Sequence, residues 1–489
     1  MTLLFVMVKN IFLGILPLLL SFCTKQQSTT NATQSISVDT TKAPVESGKY
    51  ASGWYTHADQ SALLQNKTTV IYSGNINNSF PVIEVDSTVL FQSVDGFGFT
   101  LTEGSAYLIN QMNEPAKTNL LNELFSNSEL SAKISYLRIS IGASDLSKSV
   151  YSYDDLPVGN TDTLLNQFSL SQDSIHLIPI LQKIIELNPT IKIMATPWSP
   201  PVWMKDNANS IGGKLLTKYY DVYARYLLKY IQTMKRIGIA IDAITIQNEP
   251  EHGGNNPSML MTANEQANFI KNNLGPLFQK NNIQTKIVLY DHNCDHPEYP
   301  ISILNDADAR KFIDGSAFHL YNGDISALST VYNAHKDKSL YFTEQWTGKN
   351  GTFNGDLQWH VKNVLIGSLR NYSKVTLEWN LAGDAAYEYH TPGGCTECKG
   401  ALTISGNAVA KNVAYYIIAH ASKFVPAGST RISSNNVGAL YTVAFLTPAG
   451  KKAIIVLNNG SKLESFNIKS TNHWFKNELN PGAVATFVF

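Results

Sequence analysis

Short apolar runs recur along the middle of the chain, and between them the apolar positions switch to helical spacing. The runs are Gly96–Thr102, Ile134–Gly142, Ile191–Pro197, Ala240–Asn248, Thr285–Asp291, Gly315–Tyr321, Ser339–Thr343 and Lys374–Asn380. Most are short apolar runs, as expected for parallel strands buried on both sides. Leu177, Ile180, Leu181, Ile184 and Ile185 form one helical stripe. Tyr219, Tyr223, Tyr226, Leu227, Tyr230, Ile231 and Met234 form another, with Gly238 where a C-terminal cap would fall. Thr262-Ala-Asn-Glu265 spells a capping box. Val361, Val364, Leu365 and Ile366 suit a helix before the last run, and Ala408 to Phe424 suits one after it. Strand–helix alternation of this kind predicts a (β/α)8 barrel over 95–425. An open doubly wound sheet is the alternative, but no glycine-rich phosphate fingerprint follows the first run.

The two ends read differently. Thr69 to Gln92 and Ala439 to Phe489 hold short alternating runs broken by turn residues such as Pro448-Ala-Gly450 and Asn458-Asn-Gly460. Segments 46–94 and 426–489 are therefore expected to build one antiparallel β-sandwich, into which the barrel is inserted. Residues 1–23 read as an export signal: Lys9 and Asn10, then an apolar stretch from Ile11 to Phe22, too short to span a bilayer comfortably. Leu20-Ser21-Phe22-Cys23 is similar to a bacterial lipoprotein cleavage site, with Cys23 the lipid-bearing residue. Met7 is an alternative start. Residues 24–45, rich in Ser, Thr, Gln and Asn, are expected to be a flexible tether. Export with a lipid anchor, or otherwise secretion, follows.

Composition narrows the function further. The 38 basic and 38 acidic side chains balance, which gives no support for a nucleic-acid-binding surface. An extracytoplasmic location permits a disulfide. Cys395-Thr-Glu-Cys398 suits one within a glycine-rich loop, with Cys294 left free; a zinc site would need a second pair of ligands.

The chemistry lies in Glu249 and Glu344, which end the fourth and seventh runs. Acids at the C-terminal ends of barrel strands share one pocket. Two carboxyls about 5–5.5 Å apart are what retaining cleavage of a glycosidic bond needs: a nucleophile, and a group that first donates a proton and later accepts one. No metal or organic cofactor is implied.

Ile246-Gln-Asn-Glu-Pro-Glu251 resembles the acid/base signature of the barrel glycosidases with carboxylates on strands four and seven. Gly96-Phe-Gly-Phe-Thr-Leu-Thr-Glu103, Pro197-Trp-Ser-Pro-Pro-Val-Trp-Met-Lys205, Phe318-His-Leu-Tyr321, Phe342-Thr-Glu-Gln-Trp346 and Glu378-Trp-Asn-Leu381 narrow the resemblance to glycoside hydrolase family 30. That family includes glucosylceramidases and β-1,6-glucanases, and its fold is a barrel with a side β-sandwich. The resemblance implies Glu249 as acid/base with a raised pKa and Glu344 as an ionised nucleophile oriented by Arg138. It places Glu103, Trp198, Asn248, His319, Tyr321 and Trp379 around the sugar. Glu103 stands where animal glucosylceramidases carry Asp, which argues against transferring their substrate. Trp203, Trp346, His390 and the loop Gly383 to Gly400 are expected on the aglycone side. The expected activity is retaining endo-hydrolysis of β-1,6-glucan by a monomer. A glucosylceramidase, another exo-β-glucosidase or β-xylosidase, and a non-catalytic glycan-binding protein are the alternatives.

Overall fold

The computed structural model describes residues 45–489. The expected export signal, Cys23 and all but the last residue of the expected tether lie outside the described residues. Eight parallel strands close into a barrel in chain order: Gly96–Thr100, Tyr136–Ile141, Lys192–Pro197, Ala243–Thr245, Lys286–Cys294, Ile313–Gly323, Ser339–Glu344 and Ser373–Asn380. The eighth pairs with the first, Val375 opposite Gly96, so the sheet has no edge and the open-sheet alternative falls.

Helical segments follow the strands as the stripes predict. Leu177–Leu187 and Tyr220–Arg236 bury their apolar faces against the barrel. Gly238, at φ +88°, ends the second, and Ile239 N–H returns to the carbonyl of Met234. The capping box at Thr262 and Glu265 forms in both directions. Two expectations change. Of Ala240–Asn248 only Ala243–Thr245 stays in the ladder, because the chain then turns out: Asn248 N–H donates to Pro197 and Glu249 N–H to Asp291. The last helix begins at Val413 rather than Ala408, because Gly406-Asn407 turns Ala408–Lys411 back to pair with Leu402–Ser405.

The chain ends form a second unit of nine strands. Val45–Thr56, Gln65–Ser73 and Val82–Ser93 come from the N-terminal side. Thr430–Ser434, Leu440–Leu446, Lys452–Asn458, Glu464–Ser470, His473–Leu479 and Val484–Val488 come from the other. Their inner faces share one apolar core that includes Ile83, Ile454, Phe466, Phe475 and Phe487. The expected antiparallel pattern holds except between Val82–Glu84 and Asn467–Lys469, which run parallel. The first strand also pairs with the last, Trp54 opposite Thr486, so the sandwich is closed at its edges. Its join to the barrel includes His420 of the last barrel helix. The ring of His420 is fully buried, with its nitrogens 2.9 Å from the hydroxyls of Thr56 and Thr486.

The barrel interior is layered. Tyr136, Met194, Ala243, Val288, Ala317, Tyr341, Val375 and Leu377 fill the lower part as one apolar cluster. Side chains two residues further along a strand point the same way, one layer up. That step reaches Arg138, Thr196, Thr245, His319, Thr343 and Trp379, so a polar layer floors the C-terminal mouth.

Candidate active site

Arg138 is the centre of that layer. Its Nη1 donates to Glu344 Oε2 (2.5 Å) and its Nη2 to Asn248 Oδ1 (2.7 Å) and Asp291 Oδ2 (2.8 Å). The side chain is wholly buried. A bare cation there would be very costly; two carboxylates and an amide carbonyl offset the lost hydration. Its guanidinium carbon also lies 4.8 Å from the ring centre of Trp198 and 5.7 Å from that of Trp379, within cation–π range.

Asp291 was not singled out in the sequence, although it ends an apolar run just as Glu249 and Glu344 do. Strict alternation from Val288 would point it outward. Tyr290 and Asp291 take left-handed backbone (φ +68° and +62°), and the pairing register shifts between Tyr290 and His292. This bulge turns Asp291 inward. Burial favours its neutral form, but Arg138 and hydrogen bonds from His319 and Thr343 outweigh that and hold it well below the usual carboxylate range.

Glu344 stands at the end of strand seven, after a similar register shift. Its Oε1 accepts from the Tyr321 hydroxyl (2.9 Å). Glu249 ends the fourth run with φ +46°, a conformation that non-glycine residues rarely adopt, which re-aims its carboxyl. Its Oε1 lies 3.2 Å from His319 Nδ1, and its Oε2 accepts from Asn255. One oxygen of each glutamate and a ring nitrogen of His319 lie within 4.8 Å of one another. Those three are the one potential cation-binding group among the described residues. Arg138 and Tyr321 already occupy the Glu344 oxygens, His319 is hydrogen-bonded to Glu249, and its ring lies 3.8 Å from Glu344.

The protonation pattern differs from the expected one. Burial alone would favour a neutral His319 ring, but Glu344, Asp291 and Glu249 outweigh it and push its pKa up to about 9. Burial likewise raises Glu249, but the His319 hydrogen bond and charge, with His292 and His252, lower it overall. Glu344 is raised by burial, against the pull of His319 and Arg138. His319 Nδ1 stands at hydrogen-bond distance from Glu249, so the two groups can share the acid's proton.

A cavity of about 350 Å³ opens above this layer. Trp198, Asn248, Glu249, Tyr321, Glu344, Trp346 and Trp379 line it, as does Asp145, which the sequence reading missed. Asp145 sits in the turn after strand two, where no periodicity marks it. Burial, then Glu344 and Glu249, push its carboxyl up to about 7. The wall beside Glu249 is polar: His252, Asn255, His292 and Asn293. Burial pushes His292 down to about 4, and its Nδ1 is buried without a protein partner.

His319, expected around the sugar, is fully buried in the polar floor and not on the cavity wall, and three further expected residues are elsewhere. Glu103 begins a helix; its oxygens accept from the Tyr389 hydroxyl (2.7 Å) and the Lys148 N–H (2.9 Å), so it anchors the loop after strand eight and is not on the cavity wall. Trp203 is a core indole, donating to the carbonyl of Asp154 and edge-on to Tyr219. His390 turns to the carbonyl of Thr391. Cys395 and Cys398 form a disulfide, and Cys294 is free and buried.

With this geometry the comparisons agree. The glycosyl hydrolase family 30 TIM-barrel domain matches residues 94–425, and that family's β-sandwich domain matches residues 428–487. The chain is 33% identical to the endo-1,6-β-D-glucanase neg1 of Aspergillus fumigatus, over 75% of this chain and 78% of that one. It is 27% identical to the lysosomal acid glucosylceramidase of Mus musculus, over 80% of each. Among solved structures, the endo-β1,6-glucanase BT3312 superposes with a TM-score of 0.84 at 30% identity, covering 90% of this chain and 98% of that one. The chain belongs to glycosyl hydrolase family 30 and is a glycosidase.

Proposed function

We propose that the chain is an endo-β-1,6-glucanase acting by double displacement, with Glu344 as nucleophile and Glu249 as acid/base. The observation that carries the double displacement is the closeness of the two buried carboxyls, one oxygen of each lying within 4.8 Å of the other. An inverting enzyme needs room for a water between its carboxyls, roughly 6.5–9.5 Å. Arg138 and Tyr321 fix the Glu344 carboxylate for attack on the anomeric carbon. His319 passes its proton to Glu249, which protonates the leaving oxygen; His319 is then neutral and still donates from Nε2 to Asp291. Once Glu344 is esterified, its negative charge is gone and Glu249 can take a proton from water. Asn248, anchored by Arg138, faces the sugar 2-hydroxyl. Trp198, Trp379 and Asp145 hold the glycone.

The glucan is favoured over a ceramide glucoside by the relatives above and by the cavity wall. His252, Asn255, His292 and Asn293 suit an acceptor rich in hydroxyls, whereas a lipid aglycone would want an apolar patch there. Export with a lipid anchor at Cys23 suits an enzyme that meets a polymer outside the cell.

Product analysis tests the reading. The full chain is incubated with β-1,6-glucan, β-1,3-glucan, glucosylceramide and an aryl β-glucoside, with Glu344→Gln as control. Gentio-oligosaccharides released first as the β-anomer are expected. Glucose from the lipid or aryl substrate alone would replace the endo-glucanase reading with an exo-acting one.

A further inference from the structure

The Cys395–Cys398 disulfide is in an unusual place for a structural staple. Both cysteines line the cavity that holds Glu249 and Glu344. Cys398 packs in one cluster with Leu146, Trp198 and Trp379, and Cys395 and Trp346 pack against that cluster. The disulfide thus backs the indoles that face the sugar.

The short ring is also where neighbouring loops meet. On one side Thr391 N–H donates to the Asp145 carbonyl (2.9 Å), the Thr391 hydroxyl to the Asn256 carbonyl (2.5 Å), and Gly394 N–H closes back on Thr391 (2.8 Å). The backbone N–H of Cys395 favours the Asp145 anion. On the other side Cys398 pairs with Gly348, and Lys349 N–H donates to the carbonyl of Glu397 (2.8 Å). The segment that carries Trp346 is thereby tied to the one that meets Asp145. Between the cysteines, Thr396 and Glu397 are exposed, and Cys395 is only half-buried, so a small thiol can reach the bond.

A cross-link three residues apart closes a very small loop. Disulfide stabilisation grows with loop length, so this one contributes little to global stability. Its effect is local shape.

We propose that the Cys395–Cys398 disulfide is a covalent wall of the glycone subsite, and that its reduction loosens sugar binding and so gates the enzyme by redox state. The inference rests on the glucosidase reading of this cavity. In the reducing step a thiolate of an external dithiol attacks one sulfur and the S–S bond breaks to a mixed disulfide. The second thiol of the reagent then expels the enzyme sulfur. The chain gains two thiols, and the reagent is oxidised to a cyclic disulfide by two electrons.

The test compares the full chain before and after dithiothreitol, and after reoxidation. KM and kcat are measured on an aryl β-glucoside, and Kd for a glucose-configured iminosugar by calorimetry. KM and Kd are expected to rise about tenfold on reduction, with kcat changed less than threefold, and to return on reoxidation. The Cys395→Ser/Cys398→Ser variant should match the reduced enzyme and ignore dithiol; Cys294→Ser should respond as the parent does. A purely structural clip would lower the unfolding temperature and leave KM of the folded fraction alone. Unchanged KM and Kd on reduction overturn the proposal, as does loss of the response in Cys294→Ser. Silence of the oxidised chain on every β-glucoside would instead overturn the hydrolase reading, while the iminosugar Kd still decides the role of the disulfide.

Discussion

His319 stands between two acids, its Nδ1 3.2 Å from Glu249 and its Nε2 3.2 Å from Asp291. The ring is fully buried and its pKa is pushed up to about 9. The His319–Glu249 pair is therefore expected to keep its proton until the pH passes about 9, and kcat/KM should fall only as pH rises through that value. In His319→Asn the proton must rest on Glu249 alone, so this alkaline limb should move to lower pH by at least about one unit. A pH–rate profile checks it; an unmoved limb would exclude the ring as proton holder. The same raised pKa makes a stability statement. The contribution is fully present below the ordinary histidine value of 6.5 and is lost as pH rises through about 9.

The two glutamates should fail differently. Glu344→Gln should lose about 10⁴-fold or more in kcat on every glucoside, since no covalent intermediate can form. Glu249→Gln should lose about 10²- to 10⁴-fold on glucan, and much less in the first step on an aryl glucoside whose leaving group needs no proton. Burst kinetics separate the two steps. Equal losses on both substrates would contradict the assigned roles.

Arg138 bridges Glu344, Asn248 and Asp291 with one planar fork, which lysine cannot reproduce. Arg138→Lys should cost about 3 kcal/mol of folding stability, because it leaves buried acceptors unpaired. Urea unfolding measures that cost. kcat should fall as well, because Glu344 loses its orienting partner.

His420 predicts the opposite pH trend from His319. Burial pushes it down to about 3, so the folded protein holds it neutral between Thr56 and Thr486. Its contribution is present above pH 6.5 and fades as pH falls from there toward 3. His420→Ala should destabilise by about 2–3 kcal/mol and leave KM unchanged, because the residue joins sandwich to barrel far from the chemistry. Melting curves at pH 5 and pH 7.5 test it: the gap between parent and variant should be wider at pH 7.5.

The barrel was legible because strands buried on both faces write themselves as apolar runs, and helices such as Tyr220–Arg236 write a stripe. Glu249 and Glu344 were legible as acids that end such runs. Asp291 obeys the same rule, but the alternation from Val288 points it the wrong way, and the left-handed pair at Tyr290 and Asp291 has no sequence signature. Glu103 misled for a related reason: it follows a strand, but the chain has already turned into a helix, so its carboxyl reaches Tyr389 instead of the cavity. Asp145 and the walls from residues 383–400 lie in loops, where position depends on contacts across the barrel mouth. The opposed pKa shift of Glu249 and His319 could not be read from residue types at all. It arises from three acids crowding one imidazole.

The seam between Val45–Thr56 and Val484–Val488 has a consequence for biogenesis. During synthesis the earliest of these strands emerges hundreds of residues before its partner, so the barrel can form first while the N-terminal strands stand open. Closure waits for Val484–Val488. A nascent chain that stalls before residue 484 would display unpaired strand edges, the kind of surface that chaperones and proteases recognise. Joining Val45–Thr56 to Val484–Val488 therefore leaves the sandwich unclosed until residues 484–488 are in place.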